Sequence, residues 1–285
     1  MRSGSTNENA VGGRIGLKFV QNREKNQSAL IPFIVAGDPD LERTQRLVLQ
    51  LEARGADLIE LGVPFSDPMA DGPANQRAAA RGLAAGATLP AILALVAELR
   101  KHTQIPLILF GYFNPIFRYG CERLCADAKR TGVDGLLVVD LPAEEALELA
   151  APARAEGLDL VYLLAPTTPP ERCRMIASSA TGFLYYVSVT GVTGARSVLA
   201  SDLEQKVTAL KSITDLPIGV GFGISNAQQA CEVARFADAV VVGSALSQLI
   251  ELHAPSEGLV VAVGEYVHTL KQAIISARPV LEPPS

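Results

Sequence analysis

Glu60 sits between Ile59 and Leu61 in an apolar run, Leu58 to Leu61, and two more carboxylates, Asp67 and Asp71, follow in the Pro- and Gly-rich stretch up to Pro73. Alternation along a strand puts Leu58 and Glu60 on one face, and a parallel strand covered on both faces offers a carboxylate little water. Desolvation of that kind raises a carboxyl pKa toward neutrality, where the group can both give and take a proton. The neighbours of Glu60 leave it no local backbone role, so acid–base catalysis is the expected one. Asp67 precedes Pro68 and Asp71 precedes Gly72, contexts in which an isolated Asp commonly closes a local Asx-turn. Asp140, at the end of a later apolar run, is open to a similar reading as a cap for a helix starting near Glu144.

A second group of residues suits an anion. Gly221-Phe222-Gly223-Ile224-Ser225-Asn226 and Gly243-Ser244-Ala245 each follow one of the last two apolar runs. Glycines let the backbone approach an anion, exposed N–H groups donate to it, and a helix N-terminus favours negative charge. Neither segment contains Lys or Arg, so a phosphate there would be held by backbone amides and hydroxyls, with Gly194 a further donor. The alternative is a pair of tight turns capped by Ser225 and Ser244. The glycine-punctuated loop Ser188 to Arg196 has the make of a lid, or of a plain surface loop. Phe33, Tyr112, Tyr185 and Phe222 together would wall a flat aromatic pocket, although each alone is equally at home in an ordinary core.

Other chemistries find little support. His102, His253 and His268 pair with no Ser or Cys at a strand end, so no nucleophilic triad is expected. Gly219-x-Gly221-x-Gly223 lacks the dinucleotide-binding spacing. Cys121 and Cys125 lie one helical turn apart without a nearby His, which reads as helix packing, and no metal is expected. The four cysteines are few and irregularly spaced, as for reduced thiols in a cytosol.

The elements that must position these groups alternate regularly. The runs Ile31–Ala36, Leu58–Leu61, Leu107–Phe110, Leu136–Val139, Leu160–Leu164, Phe183–Val187, Ile218–Gly221 and Ala239–Val242 read as eight strands. Between them lie amphipathic helical patterns such as Ile92, Leu95, Val96, Leu99 and Leu203, Val207, Leu210. Eight such units without a break in composition predict an α/β fold, a (β/α)8 TIM barrel in a single domain, with an open doubly wound sheet as the runner-up. Gly-x-Asp recurs at Gly55, Gly132 and Gly157 and marks the helix-to-strand turns of the N-terminal face, leaving the candidate groups on the opposite face, where such barrels keep their active sites. The expected organisation is a tail over 1–14, a barrel over 15–277 and a second tail over 278–285. With 285 residues, 48% hydrophobic and 19% charged, and a formal net charge of -5, the chain has no electrostatic claim on nucleic acid or anionic membrane. No signal peptide or spanning helix is read, so a cytoplasmic location is expected.

Taken together, Pro32-Phe33 with Gly37-Asp38-Pro39, Glu60 to Pro68 with Ala70-Asp71-Gly72-Pro73, Asn114-Pro115-Ile116, Asp140-Leu141-Pro142, Gly191-Val192-Thr193-Gly194, Gly221 to Ser225 and Gly243-Ser244-Ala245 resemble the tryptophan synthase alpha-chain family. The resemblance spans about Ile15 to Glu251, and the Glu60 to Pro73 segment is its most specific part. It implies a lyase that cleaves indole-3-glycerol phosphate to indole and glyceraldehyde 3-phosphate by a retro-aldol reaction in tryptophan biosynthesis. By that resemblance Glu60 handles protons at the indole C3 and the glycerol hydroxyl, and Asp71 steadies positive charge on the ring nitrogen. Two carboxyl groups in different environments suffice for this. Thr193 would bond Asp71 when the lid closes, and Tyr185 would line the site near Glu60. The resemblance also implies a beta-chain partner that carries the pyridoxal phosphate, an alpha2beta2 heterotetramer, and an interface role for Asp67; this chain itself would need no cofactor. A phosphosugar isomerase or epimerase on a similar barrel, a non-catalytic regulatory subunit, and the same lyase working alone and releasing free indole are the rival readings.

Overall fold

Short runs rich in Leu, Ile and Val, each bounded by a turn, have the length and stiffness of strands rather than helices. The computed structural model describes residues 13–187, 196–221 and 223–278. It contains β1 (Ala29–Val35), β2 (Ile59–Gly62), β3 (Leu107–Gly111), β4 (Gly135–Val138), β5 (Asp159–Leu164), β6 (Leu184–Val187), β7 (Ile218–Gly221) and β8 (Ala239–Val242). The strands pair in chain order, all parallel, and β8 closes on β1 through Ala29↔Ala239 to Pro32↔Val242. Closure excludes the open sheet. Helix α1 (Arg14–Glu24) precedes the barrel, α2 (Leu41–Ala53) follows β1, and α3 (Pro73–Ala84) with α4 (Leu89–Leu99) follows β2. After β3 come α5 (Phe113–Tyr119) and α6 (Cys121–Thr131), and then α7 (Leu147–Ala155), α8 (Pro170–Ser179), α9 (Arg196–Lys211) and α10 (Ala227–Ala234) follow one strand each. Helices α11 (Ser244–His253) and α12 (Leu259–Ser276) complete the ring. The fold is a (β/α)8 barrel, and the eight expected strands match it to within two residues.

Two apolar layers result from the strand alternation. Leu58, Ile108, Leu137, Val161, Phe183 and Val241 fill the interior, which Ile15 and Phe19 of α1 plug from below, Phe19 meeting Phe183 at 5.6 Å between ring centroids. Ile59 and Leu61 point the other way, into the layer shared with the helices, where Cys121 and Cys125 also pack. Arg14, which the sequence places in the tail, instead opens α1 because its guanidinium reaches Asp134 at 2.8 Å. Arg278, likewise assigned to the second tail, donates to the carbonyl of Ala237. Among the described residues no single helix is long and apolar enough to cross a membrane.

The floor of the barrel repeats one device. Asp57, Asp134, Thr181 and Asp238 each donate a backbone N–H to the carbonyl of Leu30, Leu107, Leu160 and Ile218 respectively. A side-chain oxygen of each then accepts the N–H of that same residue, at 2.8 to 2.9 Å. The start of every odd-numbered strand is thus tied to the even-numbered strand that follows it. Asp159, the third aspartate of the Gly-x-Asp pattern, stands apart: it opens β5 and donates its N–H to the carbonyl of Asp134. Asp57 also meets Lys271 of α12 at 2.6 Å, with both side chains 10% exposed. Breaking a buried pair strands its partner, so Asp57→Ala is expected to cost about 3 kcal/mol in urea unfolding, with kcat little changed because the site lies at the other end.

Candidate active site

Glu60 points into the barrel from β2 and is 0% exposed. Neither of its carboxylate oxygens has a hydrogen-bond partner among the described residues. Burial alone pushes its pKa up to about 8. Tyr185 points inward from β6, and its phenol is held well above the usual range first by burial and then by the charge on Glu60, which makes the two neighbours. The Tyr185 hydroxyl lies so close to Gly221 of β7 that a Cβ there would collide with it, and Gly221 therefore has to be glycine. An acid with no compensating cation or donor is costly to keep in a core, and such groups concentrate at functional sites.

Two residues further along β2, and on the same side as Glu60, Gly62 lines a cleft with Phe33, Phe110, Asp71, Asn75 and Tyr112. Glu60 therefore sits one layer beneath the cleft floor. Phe33 packs edge-on against Phe110 at 4.9 Å between centroids. Its ring fits a slot made by two glycines: a Cβ on Gly62 would come within 2.9 Å of its Cζ, and one on Gly243 within 3.2 Å of its Cδ1. Tyr112, which follows β3 as the N-cap of α5, stacks at a tilt on Phe65 at 5.3 Å.

Asp71 is placed by the start of α3, where Gly72 is the N-cap and Pro73 the first helical residue. Its Oδ2 accepts from the Tyr112 hydroxyl at 2.8 Å, and its Oδ1 from Asn75 Nδ2 at 3.4 Å. The Tyr112 oxygen in turn accepts the N–H of Ala70 at 3.0 Å. Partial burial raises the Asp71 pKa, and the bonds from Tyr112 and Asn75 offset part of that rise. The carboxylate is thus engaged across the cleft, not in a local turn. Asp67 remains exposed on the same loop, with the Ser66 hydroxyl donating to it.

The anion end of the site differs from the serine-capped alternative. Helix α10 is capped by Asn226, whose side chain accepts from Gln229 N, while the N–H and hydroxyl of Ser225 both donate to Gln229 Oε1. Ser244 is the first residue of α11, and its N-cap, Gly243, offers no side-chain bond. Leu246 and Ser247 both donate to the Gly243 carbonyl, so it is the N–H groups of Ser244 and Ala245, ahead of the first intrahelical bond and with no N-cap side chain over them, that meet the condition for holding an oxyanion. Gly223, exposed after β7, adopts φ 77°, open to glycine without strain. Thr193, Gly194 and Phe222 lie outside the described residues, as does the expected lid up to residue 195; Arg196 begins α9. Asp140 does cap a helix, but α5 rather than α7: its Oδ1 accepts the Phe113 N–H at 2.7 Å across two strands. Phe110 and Asn75 were not legible as site residues. Phe110 faces Phe33 only through the register Gly62↔Phe110, and Asn75 needs the docking of α3 on α11.

A closed parallel barrel holding one unpaired, desolvated acid beneath an aromatic cleft, with a second carboxylate at its mouth, defines an enzyme of the (β/α)8 class built for acid–base chemistry. A family model described as tryptophan synthase alpha chain matches residues 19–275. The chain is 55% identical over 262 residues to the tryptophan synthase alpha chain of Geobacter sp. strain M21, covering 92% of this chain and 98% of that one. Among solved structures, the tryptophan synthase alpha subunit of Legionella pneumophila strain Paris superposes with a TM-score of 0.86 at 39% identity, over 92% of this chain and 98% of its own. Tryptophan synthase of Mycobacterium tuberculosis gives 0.83 at 34% identity, over 92% and 98%. The chain belongs to the tryptophan synthase alpha-chain family. It is an enzyme subunit of the alpha reaction, which cleaves indole-3-glycerol phosphate in tryptophan biosynthesis, and its family pairs with a beta chain.

Proposed function

We propose that Glu60 and Asp71 divide the chemistry of that cleavage. With a pKa of about 8, Glu60 is largely protonated at neutral pH and gives its proton to the indole C3. The ring then carries its positive charge at nitrogen, facing the Asp71 carboxylate. The conjugate base of Glu60 takes the proton of the glycerol hydroxyl, the carbon–carbon electrons move into the ring, and indole and an aldehyde separate. The proton lent is recovered, so the step needs no outside oxidant or base. Phe33, Tyr112, Tyr185 and Phe222 flank the ring, Thr193 bonds Asp71, and the phosphate rests on Gly194, Gly223, Gly243 and Ser244.

The same reading gives the Asp67 loop to the contact with a beta chain, in a cytoplasmic alpha2beta2 assembly whose pyridoxal phosphate belongs to the partner. Exposure of Asp67, and of Met69 at 89%, supports an exposed docking loop. The observation that carries the proposal is Glu60 itself, fully buried, without a hydrogen-bond partner among the described residues and next to Tyr185. Incubating the purified chain with indole-3-glycerol phosphate should release indole slowly, and faster when a beta chain is added. A phosphosugar isomerase would leave that substrate intact. A regulatory subunit would release none in either mixture beyond what the beta chain yields alone.

A further inference from the structure

One amide joins the two helices on which the charge chemistry depends. Asn75 lies in the first turn of α3, where its Nδ2 donates to Asp71 at 3.4 Å, and its Oδ1 accepts from the Ser247 hydroxyl at 2.8 Å. Ser247 is 1% exposed and lies three residues beyond Ser244, hence on the same face of α11, one turn below the uncapped N-terminus. Chemistry fixes the amide's orientation: an ionised carboxylate only accepts, so the NH2 group faces Asp71 and the carbonyl is left for Ser247. We propose that Asn75 is a positioning residue for the cleavage reaction, tying the Asp71 carboxylate to α11 so that it stays ionised and aimed at the ring nitrogen. The proposal rests on the role given to Asp71 above.

The tie is separate from what holds the two helices together. Arg77 and Arg81 of α3 both bond Glu251 of α11, at 2.8 and 2.9 Å, and Arg81 also grips the buried Asp38 after β1 at 2.7 Å. These four charges are paired with one another. The groups that meet the Asp71 carboxylate itself, among the described residues, are Tyr112 from the β3 side and Asn75 from the helix that Asp71 precedes. Removing the amide therefore leaves the α3–α11 clamp intact and acts on Asp71. Because charge on the ring nitrogen develops only as the reaction proceeds, the loss belongs to kcat rather than to substrate affinity.

The test compares Asn75→Leu, Asn75→Asp and Ser247→Ala in the full-length chain assembled with a beta chain, assayed on indole-3-glycerol phosphate from acid to neutral pH. A bond to a charged group sets the scale, so Asn75→Leu is expected to lower kcat on the order of tenfold with KM changed less than about threefold. Its acid limb should move to higher pH, since the lost N–H favoured the ionised form. Asn75→Asp keeps the shape and the Ser247 bond but adds a like charge, and should move the limb further. Ser247→Ala should lower kcat by about threefold with the limb in place, and cost nothing more in an Asn75→Leu background. Wild-type kcat and pH profile in both Asn75 variants, beside an inactive Asp71→Asn, would overturn the proposal and leave the reading of Asp71 standing. An active Asp71→Asn would remove both. If Asn75→Leu folds poorly, the near-isosteric Asn75→Asp carries the same decision.

Discussion

Glu60→Gln is expected to lower kcat for indole release by about 10³-fold while KM stays within a few-fold, because the amide occupies the same volume but can neither lend nor recover a proton. The pH dependence sharpens this expectation. Protonation of C3 needs the acid form, and burial holds the Glu60 pKa at about 8. Wild-type kcat should therefore fall as pH rises through about 8, and the residual rate of the variant should not. On stability the substitution should have the opposite effect. An unfolded Glu ionises from its model value of 4.5, whereas the folded one keeps its proton up to about 8. Across that window the native state binds more protons than the unfolded state, so rising pH lowers stability, and the whole penalty is present above about 8. Glu60→Gln removes the titration. It should melt close to wild type near pH 4.5 and distinctly higher at pH 8. A gain in stability together with a loss of rate is the signature of a site in which strain serves function. A variant with wild-type turnover, or one no more stable at pH 8, would count against the role of Glu60.

Asp71→Asn is expected to cost about 10²-fold in kcat, the usual scale for removing one preorganised electrostatic partner of a developing charge. The neutral amide still reaches Tyr112, so the loop and the start of α3 should keep their shape, and substrate should bind with little change in KM. What is lost is the negative charge, which matters once the ring nitrogen becomes positive. Burial lifts the Asp71 pKa while Tyr112 and Asn75 pull it back. The wild-type acid limb should therefore lie above the range of an exposed Asp, and the variant should show no such limb. Steady-state rates from pH 4 to 7 check both points. Full activity in Asp71→Asn would move the charge-stabilising role to another residue.

These two carboxyl groups also show how far the sequence can be read. Glu60 was legible because a charged residue between Ile59 and Leu61 conflicts with every structural use of a buried strand, and a conflict of that kind points to function. Asp71 was harder, since its Asp-Gly-Pro setting is also that of an ordinary turn, and only the bond across to Tyr112 removes the ambiguity. At the proposed phosphate end, the serine caps that stood as the alternative reading do not form. Asn226, not Ser225, closes α10, and the N-cap of α11 is Gly243, which has no side chain to close it. Asp140 was recognised as a cap but for the wrong helix, because the α5 N-terminus comes near it only after β3 and β4 pair.

Periodicity, the Gly-x-Asp turns and the one misplaced carboxylate determined the barrel, the face that carries the cleft and the buried acid beneath it, because these follow from local geometry and from the cost of burying charge. Tertiary structure alone decided the partners: Phe110 against Phe33, Tyr185 against Gly221, Asp57, Asp134, Thr181 and Asp238 tying the floor, and Asn75 between Asp71 and Ser247. Each of these contacts joins segments far apart in the chain or sets the rotation of one helix on another, and no local pattern encodes which residues barrel closure will bring face to face.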